Sequence, residues 1–82
     1  MEQQEIEQAG RSIIAEVLNI PVEQVWDEAN LEEDLGIDSI DVVEVIMAVE
    51  TKFDITIEEG EADGIITVKD FLDALVEKIN QC

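Results

Sequence analysis

Apolar residues along this chain fall into three runs of helical period, separated by stretches with no sustained period. In the first run Ile6, Ala9, Ile13, Ile14, Val17 and Leu18 recur at helical spacing, with Glu7, Arg11 and Glu16 on the other faces. This predicts a helix over about 3–19, ended by Asn19 and Pro21, since proline disfavours helical geometry in the residue before it. The second run, Val42, Val43, Ile46, Met47, Val49, Glu50 and Phe53, predicts a helix of about four turns over 39–53. The third, Val68, Phe71, Leu72, Leu75, Val76 and Ile79, predicts a buried stripe on a last helix over about 67–80. Thr67 starts that helix, and Asp70 three residues on makes a shorter-armed capping box.

The connecting segments are less regular. Residues 20–38 read as a long loop with room for one short turn of helix, pinned by Val25, Trp26, Leu31 and Leu35 and closed by Gly36. Asp54–Ile57 has the look of a strand but no partner strand elsewhere, so it is taken as an extended connection. Residues 59–64 allow a short helix of about one turn, weakened by Gly60 and Gly64. The expected fold is all-α: three main helices plus one short one, a small four-helix bundle in a single domain over 1–82.

Composition sharpens this picture. An apolar fraction of 46% is ample for a core, although 82 residues make a small one. Twenty-two acids against Arg11, Lys52, Lys69 and Lys78 give a net charge of -18, and Glu23–Asp63 holds fifteen of the acids with one base. Such a surface repels nucleic acid and anionic lipid, so neither nucleic-acid nor stable membrane binding is expected. Such a field would steer basic protein surfaces or bind divalent cations. The start, MEQQEIEQAG, is acidic where a signal peptide is basic, so a cytoplasmic protein is expected. The lone cysteine, Cys82, stands at the end of the chain and makes no internal disulfide.

Candidate chemistry centres on Ser39, in LGIDSIDVVEV. Asp38 lies at the expected N-cap of the second helix and Asp41 three residues later complements the helix dipole. On spacing alone, Ser39 is equally a filler of the first turn or an exposed hydroxyl where open N–H groups favour a phosphate. No resident catalyst is assembled around it. Histidine is absent, which excludes a Ser-His-Asp relay, and zinc sites of cysteine and histidine are excluded with it. Chemistry at Ser39 must therefore be done by another protein. Glu59–Asp70 partly matches a calcium loop, with acids at positions one, three, five and twelve and glycine at six. The end positions carry the wrong acids and no incoming helix precedes the loop. No metal site is expected.

The stretch NLEEDLGIDSIDVVEVIMAVETKFDITI resembles the acyl carrier protein family, Asp38-Ser39-Ile40 standing where the family has Asp-Ser-Leu. Met47, Ala48, Glu50, Phe53, Asp54 and Ile57 also match residue types of the family. The resemblance implies that Ser39 carries a 4′-phosphopantetheine arm, transferred from coenzyme A by a phosphopantetheinyl transferase with Asp38 assisting through Mg²⁺. It implies a carrier and not an enzyme, a monomer that presents acyl thioesters to acyl-transfer and ketosynthase enzymes of fatty-acid or polyketide biosynthesis. The implied recognition face comprises Asp41, Glu44, Val45, Ala48 and Glu50, with Glu58, Glu59 and Glu61 beyond it. Ile46, Met47, Ile57, Ile65 and Phe71 would be core or line the acyl pocket. Thr51-Lys52, Trp26 and the two glycines of 59–64 depart from housekeeping fatty-acid carriers and point to a specialised one. A D-alanyl, aminoacyl or peptidyl carrier is the alternative, and a non-covalent acidic calcium-binding or adaptor module is the reading of a different class.

The charge density generates a prediction by itself. Fifteen acids within 41 residues repel one another inside a Debye length of ~10 Å at 0.1 M salt. The melting temperature should rise with added salt, and more steeply with Ca²⁺ or Mg²⁺. A melting temperature indifferent to both, followed by circular dichroism, contradicts the expectation.

Overall fold

A computed structural model describes residues 2–58 and 60–80. Three α-helices follow one another along the chain: α1, Gln3–Leu18; α2, Ser39–Phe53; and α3, Val68–Asn80. A 3₁₀ turn at Val22–Gln24 interrupts the loop between α1 and α2. No strand is present among the described residues, and the single bridge pairs Asn30 with Thr67.

Helix α1 supplies the central seam. Ile6, Gly10, Ile13 and Ile14 are buried at spacings of four, three and one, facing both α2 and α3. Gly10 is where α3 comes closest, since a Cβ there would stand 2.8 Å from Leu72 Cδ2. The helix stops in a Schellman motif. Asn19 takes a left-handed φ of 57°, its N–H donates to Glu16 O at 3.2 Å, and the Ile20 N–H donates to Ala15 O at 3.0 Å. Asparagine tolerates that conformation better than most residues, and Pro21 then blocks any continuation.

The long loop is fastened along its length. Val25, Ala29, Leu31 and Ile37 are buried in the core. Leu35 packs half-buried against it. Trp26, expected as a pin, is instead 51% exposed. Backbone bonds dock the loop on the start of α3: the Leu31 N–H donates to Ile66 O, Val68 N–H to Ala29 O, and Lys69 N–H to Asp27 O, at 2.9–3.0 Å. Asn30 organises the following turn, its Oδ1 accepting from the N–H groups of Glu32 and Glu33 at 3.0 and 2.8 Å. Arg11 of α1 pairs with Asp27 of the loop.

The expected short helix over 59–64 is corrected to consecutive turns over 60–64, so the described residues hold three helices and not four. Gly60 and Gly64 explain this. Their φ angles of 94° and 86° lie where no right-handed helix passes, and each glycine would cost a helix up to ~1 kcal/mol against alanine. Of the expected extended connection Asp54–Ile57, Asp54 instead ends α2 in the left-handed region at φ 54°, and residues 55–57 follow without forming a strand. They are braced by the Glu50 carboxylate, which accepts the Ile57 N–H at 2.9 Å.

The start of α3 is capped reciprocally. The Asp70 N–H donates to Thr67 Oγ1 at 3.2 Å, and the Asp70 carboxylate accepts the N–H groups of Thr67 and Ile66, each at 3.1 Å. These backbone donors, Thr67 first and then Ile66, hold the Asp70 carboxyl below its ordinary value. A depressed folded-state value means stability that is present above the ordinary carboxylate range and lost as pH falls through the folded value. Asp70→Asn should therefore lower the melting temperature at neutral pH, with the gap to wild type closing on acidification. A gap that stays constant across the acid range would contradict the charged cap.

Candidate functional site

Asp38 fixes where α2 begins. Its backbone is extended, with φ -116° and ψ -178°, and its Oδ1 accepts the Asp41 N–H at 2.9 Å. Asp41 answers through Oδ2, which accepts the Asp38 N–H at 3.3 Å. The box is a cap of the kind whose loss costs about 1 kcal/mol. It places Ser39 at the first helical position, exposed, with no hydrogen bond from its hydroxyl among the described residues. The Ser39 and Ile40 N–H groups precede the first intrahelical bond and are open to an incoming anion. A phosphodiester on Ser39 fits this position: the hydroxyl is reachable and local positive dipole offsets part of the repulsion from Asp38 and Asp41.

Beneath this helix start lies an apolar cleft. A chamber of about 250 Å³ runs between α2, α3 and the long loop, with Ile37, Val42, Val45, Ile46, Ile65 and Phe71 in its walls. A second chamber of about 70 Å³ lies along α3, and Ile57, Glu61, Ala74, Leu75 and Lys78 line it. Ile46, Ala62, Ile65 and Phe71 border both. Four of the five residues expected to line a pocket, Ile46, Ile57, Ile65 and Phe71, thus sit in these walls. Met47 does not. It is 60% exposed on the outer face of α2, a correction that follows from its position one residue past Ile46, about 100° around the helix.

The expected recognition face is corrected too. Val45 is only 4% exposed and belongs to the core, and Ala48 packs half-buried against it. The apolar residues that α2 turns to solvent are Ile40, Val43 and Met47, with Ile66 exposed as well on the segment leading into α3. Glu44 is exposed beside Val43, and Asp41 is half-buried through its cap. Glu50 is spent on the Ile57 N–H. Glu58 is exposed. Glu59 lies outside the described residues. Glu61 accepts the Glu58 N–H at 2.6 Å and two bonds from Lys78 Nζ at 3.0 and 3.1 Å. The Glu58 N–H, and Lys78 after it, hold the Glu61 carboxyl below its ordinary value.

Two acids of the partial calcium-loop match are engaged within the fold. Glu61 is committed to Lys78 and Asp70 to the α3 cap. No group of three or more potential metal ligands is found among the described residues. No helix there is long and apolar enough to cross a membrane.

Comparison with known proteins agrees with this geometry. The family model for the phosphopantetheine attachment site matches residues 11–75. Among solved structures, a candidate acyl carrier protein from Mycobacterium tuberculosis superposes with a TM-score of 0.80 at 29% identity, covering 88% of this chain and 96% of that one. The apo doublet acyl carrier protein from prodigiosin biosynthesis gives 0.76 at 26% identity, covering 95% of this chain and 38% of the doublet. The chain belongs to the acyl carrier protein family, whose members bear covalent 4′-phosphopantetheine and carry cargo without catalysing its conversion.

The division of α2 into two apolar faces generates a test of stability. Met47→Gln should change stability by no more than about 0.5 kcal/mol, as exposed substitutions do. Val45→Gln should cost about 3 kcal/mol or more, by removing packed atoms and burying an amide with no partner. Equal losses in urea denaturation would show that the two faces are wrongly assigned.

Proposed function

We propose that Ser39 is the residue that bears the phosphopantetheine, and that the protein carries acyl intermediates for fatty-acid or polyketide-type biosynthesis. The observation that carries this reading is the exposed Ser39 hydroxyl at the first position of α2, with the apolar cleft opening at Ile37 and Val42 on either side of it in sequence. The group supplies a thiol that holds an acyl chain as a thioester. During attachment the Ser39 oxygen forms a bond to the β-phosphorus of coenzyme A, the pyrophosphate link breaks, and adenosine 3′,5′-bisphosphate leaves. The serine proton passes to a base of the transferase, because the chain has no histidine to take it.

Asp38 serves two ends in this reading. One oxygen caps α2, and the other, without a hydrogen bond among the described residues, is left to help a transferase hold Mg²⁺. The exposed trio Ile40, Val43 and Met47 forms the apolar centre of a docking face, with Glu44 on its charged rim. Transferases, acyl-transfer enzymes and ketosynthases with basic surfaces would meet it there. The apolar cleft favours an alkyl cargo over an alanyl or other aminoacyl one, since a small polar cargo has no use for it.

One assay tests these roles: the rate of transfer of a labelled arm from coenzyme A by a promiscuous transferase, over a range of salt. Ser39→Ala should abolish labelling with the helical signal intact. Asp38→Asn, which keeps an acceptor for the cap, should slow transfer at limiting Mg²⁺. Glu44→Lys should slow it and flatten its salt dependence, while Glu77→Lys on α3 should do so far less. Labelling that persists without Ser39 overturns the attachment site. Equal effects of the two charge reversals would mean that partners read net charge and not the α2 face.

A further inference from the structure

The Lys78–Glu61 ion pair sits in the wall of the smaller chamber of the cleft. Lys78 is near the end of α3, while Glu61 lies on the turn between Gly60 and Gly64. The turn segment is held at its two ends by hydrogen bonds, the Ile57 N–H donating to the Glu50 carboxylate on one side and the Leu31 N–H to Ile66 O on the other. Between those ends, the charged link to α3 is this pair, with Nζ reaching both carboxylate oxygens at 3.0 and 3.1 Å. The side chains are 27% and 39% exposed, enough for water to replace the bond when the turn moves.

We infer that the Lys78–Glu61 pair is a latch that keeps the smaller chamber of the cleft closed to the acyl chain and so sets the length of chain the protein shelters. This rests on the carrier reading of Ser39 above and extends it to cargo specificity. The volumes give the scale. An apolar cavity of about 150 Å³ takes up a six-carbon benzene ring. In that proportion the larger, 250 Å³ chamber shelters about eight to ten carbons. The smaller, 70 Å³ chamber adds about three more. With the latch closed, Lys78 and Glu61 hold α3 and the turn together around the smaller chamber, which shares Ile46, Ala62, Ile65 and Phe71 with the larger one. A longer chain must either displace the turn, breaking the ion pair, or leave its tail in water. Each methylene left out forgoes the burial that favours the sheltered state. Medium-length saturated acyl chains are therefore the preferred cargo.

The test uses the full chain loaded from acyl-coenzyme A of increasing chain length, with melting temperature read by circular dichroism. In wild type the melting temperature should climb with chain length and level off at about eight to ten carbons. Lys78→Ala, which removes both charge and stem, should move the plateau to chains about three carbons longer. Glu61→Gln keeps an acceptor for the Glu58 N–H while weakening the pair, and should move it in the same direction. Lys69→Ala removes an equal charge from the exposed Lys69–Asp73 pair of α3 and should leave the plateau in place. An unchanged plateau in both latch variants overturns the latch and leaves the carrier reading standing. A wild-type melting temperature independent of chain length overturns the sheltering itself, and failure to load at Ser39 overturns the carrier reading with it.

Discussion

The register in which α2 starts is the constraint on which this structure turns. Asp38 and Asp41 exchange backbone bonds, and that exchange decides which residue is first in the helix. Displacing the start by one residue would rotate every side chain of α2 by about 100°. Ser39 would leave the helix start, Val45 would leave the core and Met47 would enter it. A cap of this kind is worth only about 1 kcal/mol. Its larger consequence is specification, because α2 is apolar nearly all round and its burial alone does not choose a face.

That ambiguity in α2 has a functional use. From Ile40 to Val49 only Asp41 and Glu44 are polar. A helix on the surface of a small domain needs one apolar stripe, so the surplus marks a second surface left for something else. Val42, Val45, Ile46 and Val49 serve the core and the cleft, and Ile40, Val43 and Met47 stand in solvent. In the proposed reading, cargo and partners meet opposite sides of one helix, and its first residue, Ser39, would bear the link between them. The acidic charge suits the outer side, since rim acids steer basic surfaces toward the apolar trio without having to be buried.

How much of this could be read from the sequence depended on the range of each interaction. The Ser39 site was legible because it is contiguous: cap, serine and first-turn acid occupy four consecutive positions. The three helices were legible because their stripes repeat, and the α3 capping box because Thr67 and Asp70 are three apart. The faces of α2 were not, since Val45 and Met47 both fit a helical period and only the tertiary packing separates them. The Lys78–Glu61 pair spans 17 residues and joins a turn to a helix, so no local pattern announces it. Trp26 was misjudged for a related reason. Its size suggests burial, but Val25, Ala29 and Leu31 already fill the space under the loop. Residues 60–64 failed as a helix because two glycines at positive φ turn the chain instead.

The central claim is that α2 separates cargo from partner, with the acyl chain inside the cleft and the outer trio untouched by it. Methyl-resolved nuclear magnetic resonance on the arm-bearing protein, compared with and without a medium-length acyl chain, tests this most directly. The account predicts large shifts at the methyl groups of Val42, Ile46 and Ile65 and near-silence at Val43 and Met47. Shifts concentrated at Ile40, Val43 and Met47, with the cleft residues unmoved, would contradict it.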